Sequence, residues 1–302
     1  CVLSAVGFEW GWNKLNHKTQ TICDGSAALT GLLIAMNCPS GLPYWIAILG
    51  SFVAIIIVKQ LYGGLGKNIV NPAITARIVM FISFATEMTT WPLPKALQAD
   101  AVTGPTPLGI LAEGNAADLP GNMIMFIGMH GGSMGEVSAV ALLIGGLFLI
   151  WKKVISWRIP VTFIGTVAVL TLVCGREGYG NVEWMLLNLF SGGLMLGAIF
   201  MATDYATSPV TPNGQLIFGV GCGLLTVLIR YFGGYPEGVS YAILIMNLLT
   251  WAIDKATPQT QFGISKADKK VAEAERKAAK AAEKAEKLQK QVEKLHAEGG
   301  HK

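Results

Sequence analysis

The residues best placed to do chemistry lie in one short polar stretch, Asp100-Ala101-Val102-Thr103-Gly104-Pro105-Thr106-Pro107-Leu108. Gly104, Pro105 and Pro107 stiffen a turn, and Thr103 and Thr106 put two hydroxyls on it. A threonine hydroxyl can be esterified to a phosphate, which would tether a phosphate-bearing group for the life of the protein. On residue types alone an ordinary loop is the better reading, and the esterified threonine stays open beside it.

Two asparagines form a second candidate, in Gly66-Lys67-Asn68-Ile69-Val70-Asn71-Pro72. Three residues apart at a helix start, Asn68 and Asn71 would share one face. There they could meet the edge of a polar ring with both donors and acceptors, or one could simply cap the helix. Three acids, Asp24, Glu136 and Asp204, lie at or near the ends of apolar segments. Charge at membrane depth is expensive and usually functional, so they are candidates for ion coupling, with capping as the alternative. The five cysteines, Cys1, Cys23, Cys38, Cys174 and Cys222, have no C-x-x-C pair and no metal spacing. They read as small buried hydrophobes, and no metal or iron–sulfur site is expected on this chain alone. None of these residues reads as an acid, base or nucleophile of a catalytic set.

What must position these residues is a membrane scaffold. Of 302 residues, 52% are hydrophobic and 14% charged, against about 25% charged in a soluble domain. The formal charge of +4 comes from the tail, since residues 266–302 hold 11 basic and 7 acidic side chains. The other 265 residues carry 12 of each sign, so nothing points to nucleic acid. A helix that crosses a bilayer needs about 20 apolar residues. Eight candidate spans follow: 26–38, 42–62, 69–85, 137–151, 159–174, 184–203, 216–232 and 239–253. Cys1–Phe8 reads as the end of a helix begun earlier, which points to a start lost upstream.

The organisation expected is a first membrane segment over 1–85, a polar loop over 86–120, a second membrane segment over 121–255, and a tail over 256–302. The tail is rich in Ala, Lys and Glu, strong helix formers. Ala281, Ala285, Leu288, Val292 and Leu295 follow a weak 4-3-4-3 seam, so a solvated helix is expected there. The basic pairs Lys14/Lys18, Lys59/Lys67, Lys152/Lys153 with Arg158, and the tail lysines fall on one side if the spans alternate. That side is then cytoplasmic, the loop is outside, and only Arg176 and Arg230 are exceptions. An internal repeat pairs Gly31–Met36 and Lys59–Gly64 with Gly197–Ala202 and Arg230–Gly234. Its Gly-Gly pairs stand 170 residues apart. Two halves of five spans each would be inverted about the membrane midplane.

Asp100, Thr103, Gly104 and Thr106 resemble the Asp-x-x-Ser/Thr-Gly-Ala/Ser-Thr signature by which flavin transferases join FMN to the last threonine. Pro105 stands where the signature has a small residue. Asp24-Gly25-Ser26, Gly63 to Ala73, Gly132-Ser133-Met134-Gly135-Glu136, Phe200 to Asp204, and Gly234-Tyr235-Pro236-Glu237-Gly238 are also similar to the RnfD/NqrB family. The resemblance runs from Cys1 to about Asp254 and is nearest to the RnfD type.

It implies an all-α polytopic membrane protein of two inverted five-helix repeats, with the first helix and most of the second absent here, and a charged helical tail. It implies a multi-pass protein of the bacterial inner membrane, with the Thr106 loop periplasmic and the tail cytoplasmic. It implies covalent FMN on Thr106 and a riboflavin near Asn68 and Asn71. It implies a translocase component that relays electrons between ferredoxin and NAD and drives Na+ or H+ across the membrane. The implied partners are the lipid bilayer, a periplasmic flavin subunit, membrane iron–sulfur subunits, an NAD-binding subunit and a ferredoxin-accepting subunit. The alternatives are an NqrB-like component of a sodium-pumping NADH:quinone reductase, and a transporter without redox chemistry built on inverted repeats.

Overall fold

The computed structural model describes residues 1–92, 103–104, 106–112, 121–128, 131–175, 180–233 and 238–258, with isolated positions in the tail. The chain divides into two units, Cys1–Thr257 and Pro258–Lys302. The coiled seam expected in the tail lies outside the described residues, as do Asp100, Pro105, His130 and Arg176.

The described residues of the first unit are mostly helical. In order come α1 (Val2–Leu15), a 3-10 turn (Ile22–Asp24), α2 (Ser26–Met36) and α3 (Tyr44–Phe52), which runs on as a π-helix (Val53–Gln60). Then come α4 (Pro72–Ser83), α5 (Ala85–Thr89), the short strands β1 (Trp91–Pro92) and β2 (Thr103–Gly104), α6 (Pro107–Ala112) and α7 (Asn122–Ile127). The rest is α8 (Ala139–Trp151), α9 (Arg158–Cys174), α10 (Asn181–Phe190), α11 (Leu194–Leu196) with a π-helical extension (Gly197–Met201), α12 (Pro212–Phe232) and α13 (Val239–Ala256). Several starts have a local reason. Pro72 and Pro212 open α4 and α12, where a missing N–H does no harm. Asn71, Ser138 and Thr211 cap α4, α8 and α12 through their side-chain oxygens.

Each of the eight expected spans contains a helix, but their lengths differ from expectation. Among the described residues only α12 and α13 are long and apolar enough to cross a membrane by themselves. Residues 184–203, expected as one span, are two helices, α10 and α11, bent by 63°. The break is made by Gly192 and Gly193, whose φ angles of 73° and 66° lie in the left-handed region. There the α10 ladder cannot continue.

Packing is close because small residues let backbones approach. A Cβ on Gly219 of α12 would strike Thr162 Oγ1 of α9, and one on Gly223 would lie 2.6 Å from Thr166 Cβ. Spaced by four, these glycines form the close-approach seam usual between membrane helices. One apolar core runs through both halves of the chain, from Ile34, Ile74 and Met80 to Phe163, Leu194, Phe218 and Ile243.

Candidate functional site

Thr106 sits at the start of α6. Its Oγ1 accepts from the Gly109 amide at 3.1 Å and its carbonyl accepts from Ile110 at 2.9 Å, so both oxygens cap the helix. Upstream, β1 and β2 pair antiparallel, Trp91 with Gly104 and Pro92 with Thr103. The sequence leads one to expect Thr106 on display, yet it is 8% exposed. Leu108, two residues on, explains the difference. It is buried with Met125, Trp184 and Leu187 against Phe190 and Tyr231, which pulls the turn onto α10 and α12. The indole of Trp184 donates to Tyr231 Oη at 2.6 Å and braces this wall.

The turn also rests on the α10–α11 break. A Cβ on Gly192 would collide with the Leu108 side chain and lie 2.7 Å from Arg230 Nη2. Arg230 donates Nη1 to the Asn188 carbonyl at 2.6 Å and Nη2 to the Ser191 carbonyl at 3.0 Å. The helix end that loses its own partners at the break is thus capped by a guanidinium. This gives Arg230, an exception to the charge rule, a packing role.

A second polar centre lies between α4, the end of α2 and α13. Arg77 Nη1 donates to Asn37 Oδ1 at 2.9 Å and to Ser240 Oγ at 3.2 Å, joining α4 to the end of α2 and to α13. Asn37 also donates to the Leu33 carbonyl at 2.7 Å. Glu136 is buried and accepts from Ser133 at 2.9 Å. Its segment is pinned to α2 by the Gly135 amide on the Met36 carbonyl at 2.7 Å. A Cβ on Gly193 would lie 3.6 Å from both Arg77 Nη1 and Glu136 Oε2, so a buried cation and a buried carboxylate flank the break.

Asn71 belongs to this centre and Asn68 does not. The helix starts at Pro72, so the two amides do not share a helical face. Asn71 Oδ1 accepts from the Ala73 and Ile74 amides, at 3.0 and 3.2 Å, and Nδ2 donates to the Met201 carbonyl at 3.1 Å. With its amide turned to suit its neighbours, Asn247 accepts from Asn71 N–H at 3.1 Å and donates to the Thr207 carbonyl at 3.2 Å. Asn68 donates to the Val70 carbonyl at 3.2 Å. The Asn71 amide is thus engaged in the fold through both its oxygen and its nitrogen.

The three acids do not converge. Asp24, in the α1–α2 connector, accepts from the amide and hydroxyl of Ser26 and caps α2. Burial raises its pKa, and those hydrogen bonds with Lys59 nearby outweigh it, leaving the carboxyl below its ordinary value. Asp204 lies in the α11–α12 connector and accepts from Thr207 at 3.0 Å. Burial raises its pKa by more than the hydrogen bonds from Thr207 and the Ala206 amide lower it.

Sequence reasoning misses Glu9, Lys59 and Arg77 as site residues. Lys59 reads as a loop cation in the sequence, but it is 3% exposed and bonded to Glu9, so it carries no weight in the orientation rule. The available signal is charge inside an apolar run: Glu9 within α1, Lys59 within the π-helix, Arg77 within α4.

The NQR2, RnfD, RnfE family model matches residues 1–263. The chain belongs to that family. It is 46% identical over 273 residues to a component of the Na(+)-translocating ferredoxin:NAD(+) oxidoreductase complex of Acetobacterium woodii, covering 89% of this chain and 83% of that one. It is 46% identical over 270 residues to the corresponding component of the proton-translocating ferredoxin:NAD(+) oxidoreductase complex of Clostridium ljungdahlii, covering 87% and 82%. A component of the ion-translocating oxidoreductase complex of Stutzerimonas stutzeri is 39% identical over 278 residues, covering 82% and 78%. Family and apolar helices together make this a membrane protein.

Proposed function

We propose that the chain is the membrane electron-carrier component of an Rnf-type complex, an ion-translocating oxidoreductase working between ferredoxin and NAD. The observation that carries this is Thr106, the last residue of the attachment signature, whose Oγ1 is held at the start of α6 by the Gly109 amide. The relatives, named as components of such complexes and matched over most of their length, support it.

The residues at the turn fit a phosphoester of FMN in kind. Thr106 would hold the group through its hydroxyl, and the Gly109 N–H that meets that oxygen would favour negative charge there. Leu108, clamped between Gly192 and Trp184, fixes the turn and keeps water from its inner side. A flavin tethered there would supply one-electron chemistry, and the protein's part is to hold it in place. Because Thr106 is largely covered, attachment requires the turn to lift from Leu108's pocket, or to precede its packing.

In this reading the loop faces outward and the tail inward, and the halves are inverted repeats. The periplasmic flavin subunit, the membrane iron–sulfur subunits, the NAD-binding subunit and the ferredoxin-accepting subunit are the partners. Asp24, Glu136 and Asp204 are the acids proposed for coupling to Na+ or H+. Glu136 is the best placed, because it flanks the α10–α11 break with Arg77.

The test is covalent flavin in the denatured chain. Protein co-expressed with a flavin transferase should give a fluorescent gel band, which Thr106→Ala abolishes and Thr103→Ala keeps. Fluorescence that survives Thr106→Ala overturns the assignment.

A further inference from the structure

A groove of about 360 Å³ lies at the turn between α8 and α9, lined by Ile150, Lys153, Ser156, Trp157, Arg158 and Tyr205 among others. Two of its residues are cations and none is a carboxylate. Arg158 faces the Trp157 ring at 5.8 Å. Among the described residues neither Lys153 nor Arg158 has an acidic partner, since the ion pair found there is Lys59 with Glu9. The nearby Asp204 carboxylate is turned to Thr207 and does not line the groove.

The backbone sharpens this. α8 ends with the Lys153 amide on the Ile150 carbonyl and the Val154 amide on the Leu149 carbonyl, both at 2.9 Å. That closure calls for a left-handed residue, usually glycine. Lys153 occupies it at φ 57° and puts a charged side chain where glycine would be easiest. The turn is tied down by Ser156 Oγ donating to Gln215 Oε1 at 2.9 Å. It is flanked by exposed indoles, Trp151 at 73% and Trp157 at 53%. Lys152 lies 4.8 Å from the Trp151 ring. The same lysine-on-indole pairing occurs for Lys14 on Trp10 and Lys255 on Trp251. Exposed indoles with lysines at helix ends mark the level where a membrane meets water.

We infer that this groove binds the phosphate of an anionic phospholipid headgroup, with Lys153 and Arg158 on the phosphate and Trp157 and Tyr205 against the glycerol region. Basic pockets between membrane helices take acidic headgroups in this way. Exposed Leu147 and Phe148 on α8 continue the surface into the hydrocarbon, where the acyl chains belong. A choline or ethanolamine headgroup brings a cation that finds no carboxylate in the groove, so the site prefers phosphatidylglycerol to phosphatidylcholine. This inference uses the membrane setting and is independent of any flavin at Thr106.

Native mass spectrometry of the full chain titrated with each of the two lipids tests it. The parent should retain phosphatidylglycerol in preference to phosphatidylcholine, and excess inorganic phosphate should not displace it. Each cation removed should weaken phosphatidylglycerol about fivefold, and Lys153→Gly with Arg158→Gln together about thirtyfold. Lys153→Gly relieves the left-handed backbone, so its melting temperature should hold or rise while lipid is lost, which separates binding from folding. Lys153→Arg with Arg158→Lys should keep the preference. Equal retention of both lipids, undiminished retention by the double variant, or displacement by inorganic phosphate overturns the inference.

Discussion

Glu9 Oε1 accepts from Lys59 Nζ at 2.9 Å, and the two side chains are 1% and 3% exposed. The same oxygen accepts from Gln60 Nε2 at 3.0 Å and Thr21 Oγ1 at 2.9 Å, and Lys59 also donates to Ser26 Oγ at 2.6 Å. The pair joins α1 to the π-helical end of α3 through one concentrated set of charge-assisted bonds. Removing one partner strands a buried charge, which typically costs about 3–5 kcal/mol. Lys59→Met should therefore lower the melting temperature sharply. Combining it with Glu9→Gln should recover much of the loss in thermal unfolding of the detergent-solubilised chain.

The α10–α11 break depends on two glycines for different reasons. Gly192→Ala meets both a left-handed φ and a collision with Leu108 and Arg230, whereas a Cβ on Gly193 has ordinary contacts of 3.6 Å. Gly193→Ala should cost about 1 kcal/mol from φ alone, and Gly192→Ala more. Melting curves would rank them, and the reverse order would show that the Leu108 contact does not limit the turn.

Arg230 holds the Asn188 and Ser191 carbonyls with two arms of one planar fork. Lysine keeps the charge but not the fork. Arg230→Lys should lose about 1.5–3 kcal/mol, with hydrogen exchange accelerating at amides of residues 184–192 while α4 stays protected. Uniform acceleration through the chain would argue against a local capping role.

Asp24 caps α2, and its carboxyl sits below the ordinary value. A carboxylate with a depressed folded pKa stabilises above its unfolded pKa, and that contribution fades as pH falls through the folded one. Asp24→Asn should lower stability at neutral pH, and the gap to the parent should close on acidification below the usual carboxylate range. A gap independent of pH would assign the effect to something other than charge.

Much of the architecture is legible directly. Apolar runs bounded by Gly and Pro mark helices, because a chain in lipid must satisfy its backbone within each segment. Each of the eight runs does contain one. The lengths are not legible, since a run such as 184–203 looks continuous while Gly192 and Gly193 take left-handed angles that composition does not reveal. Glu9 with Lys59 and Arg77 with Asn37 are also invisible as pairs. Their partners stand 50 and 40 residues apart, and only helix packing brings them together.

The sequence by itself determined the membrane character, the helical segments and the Asp100–Thr106 signature, all of which are local in the chain. The tertiary structure decided that Thr106 is a covered helix cap, because Leu108 is buried on α10 and α12. It decided that Asn71 belongs to the fold, because its amide is consumed by α4 and Met201. It also set Arg77 and Glu136 on either side of Gly193. These facts depend on distances between helices remote in sequence, and only the packed chain sets those distances.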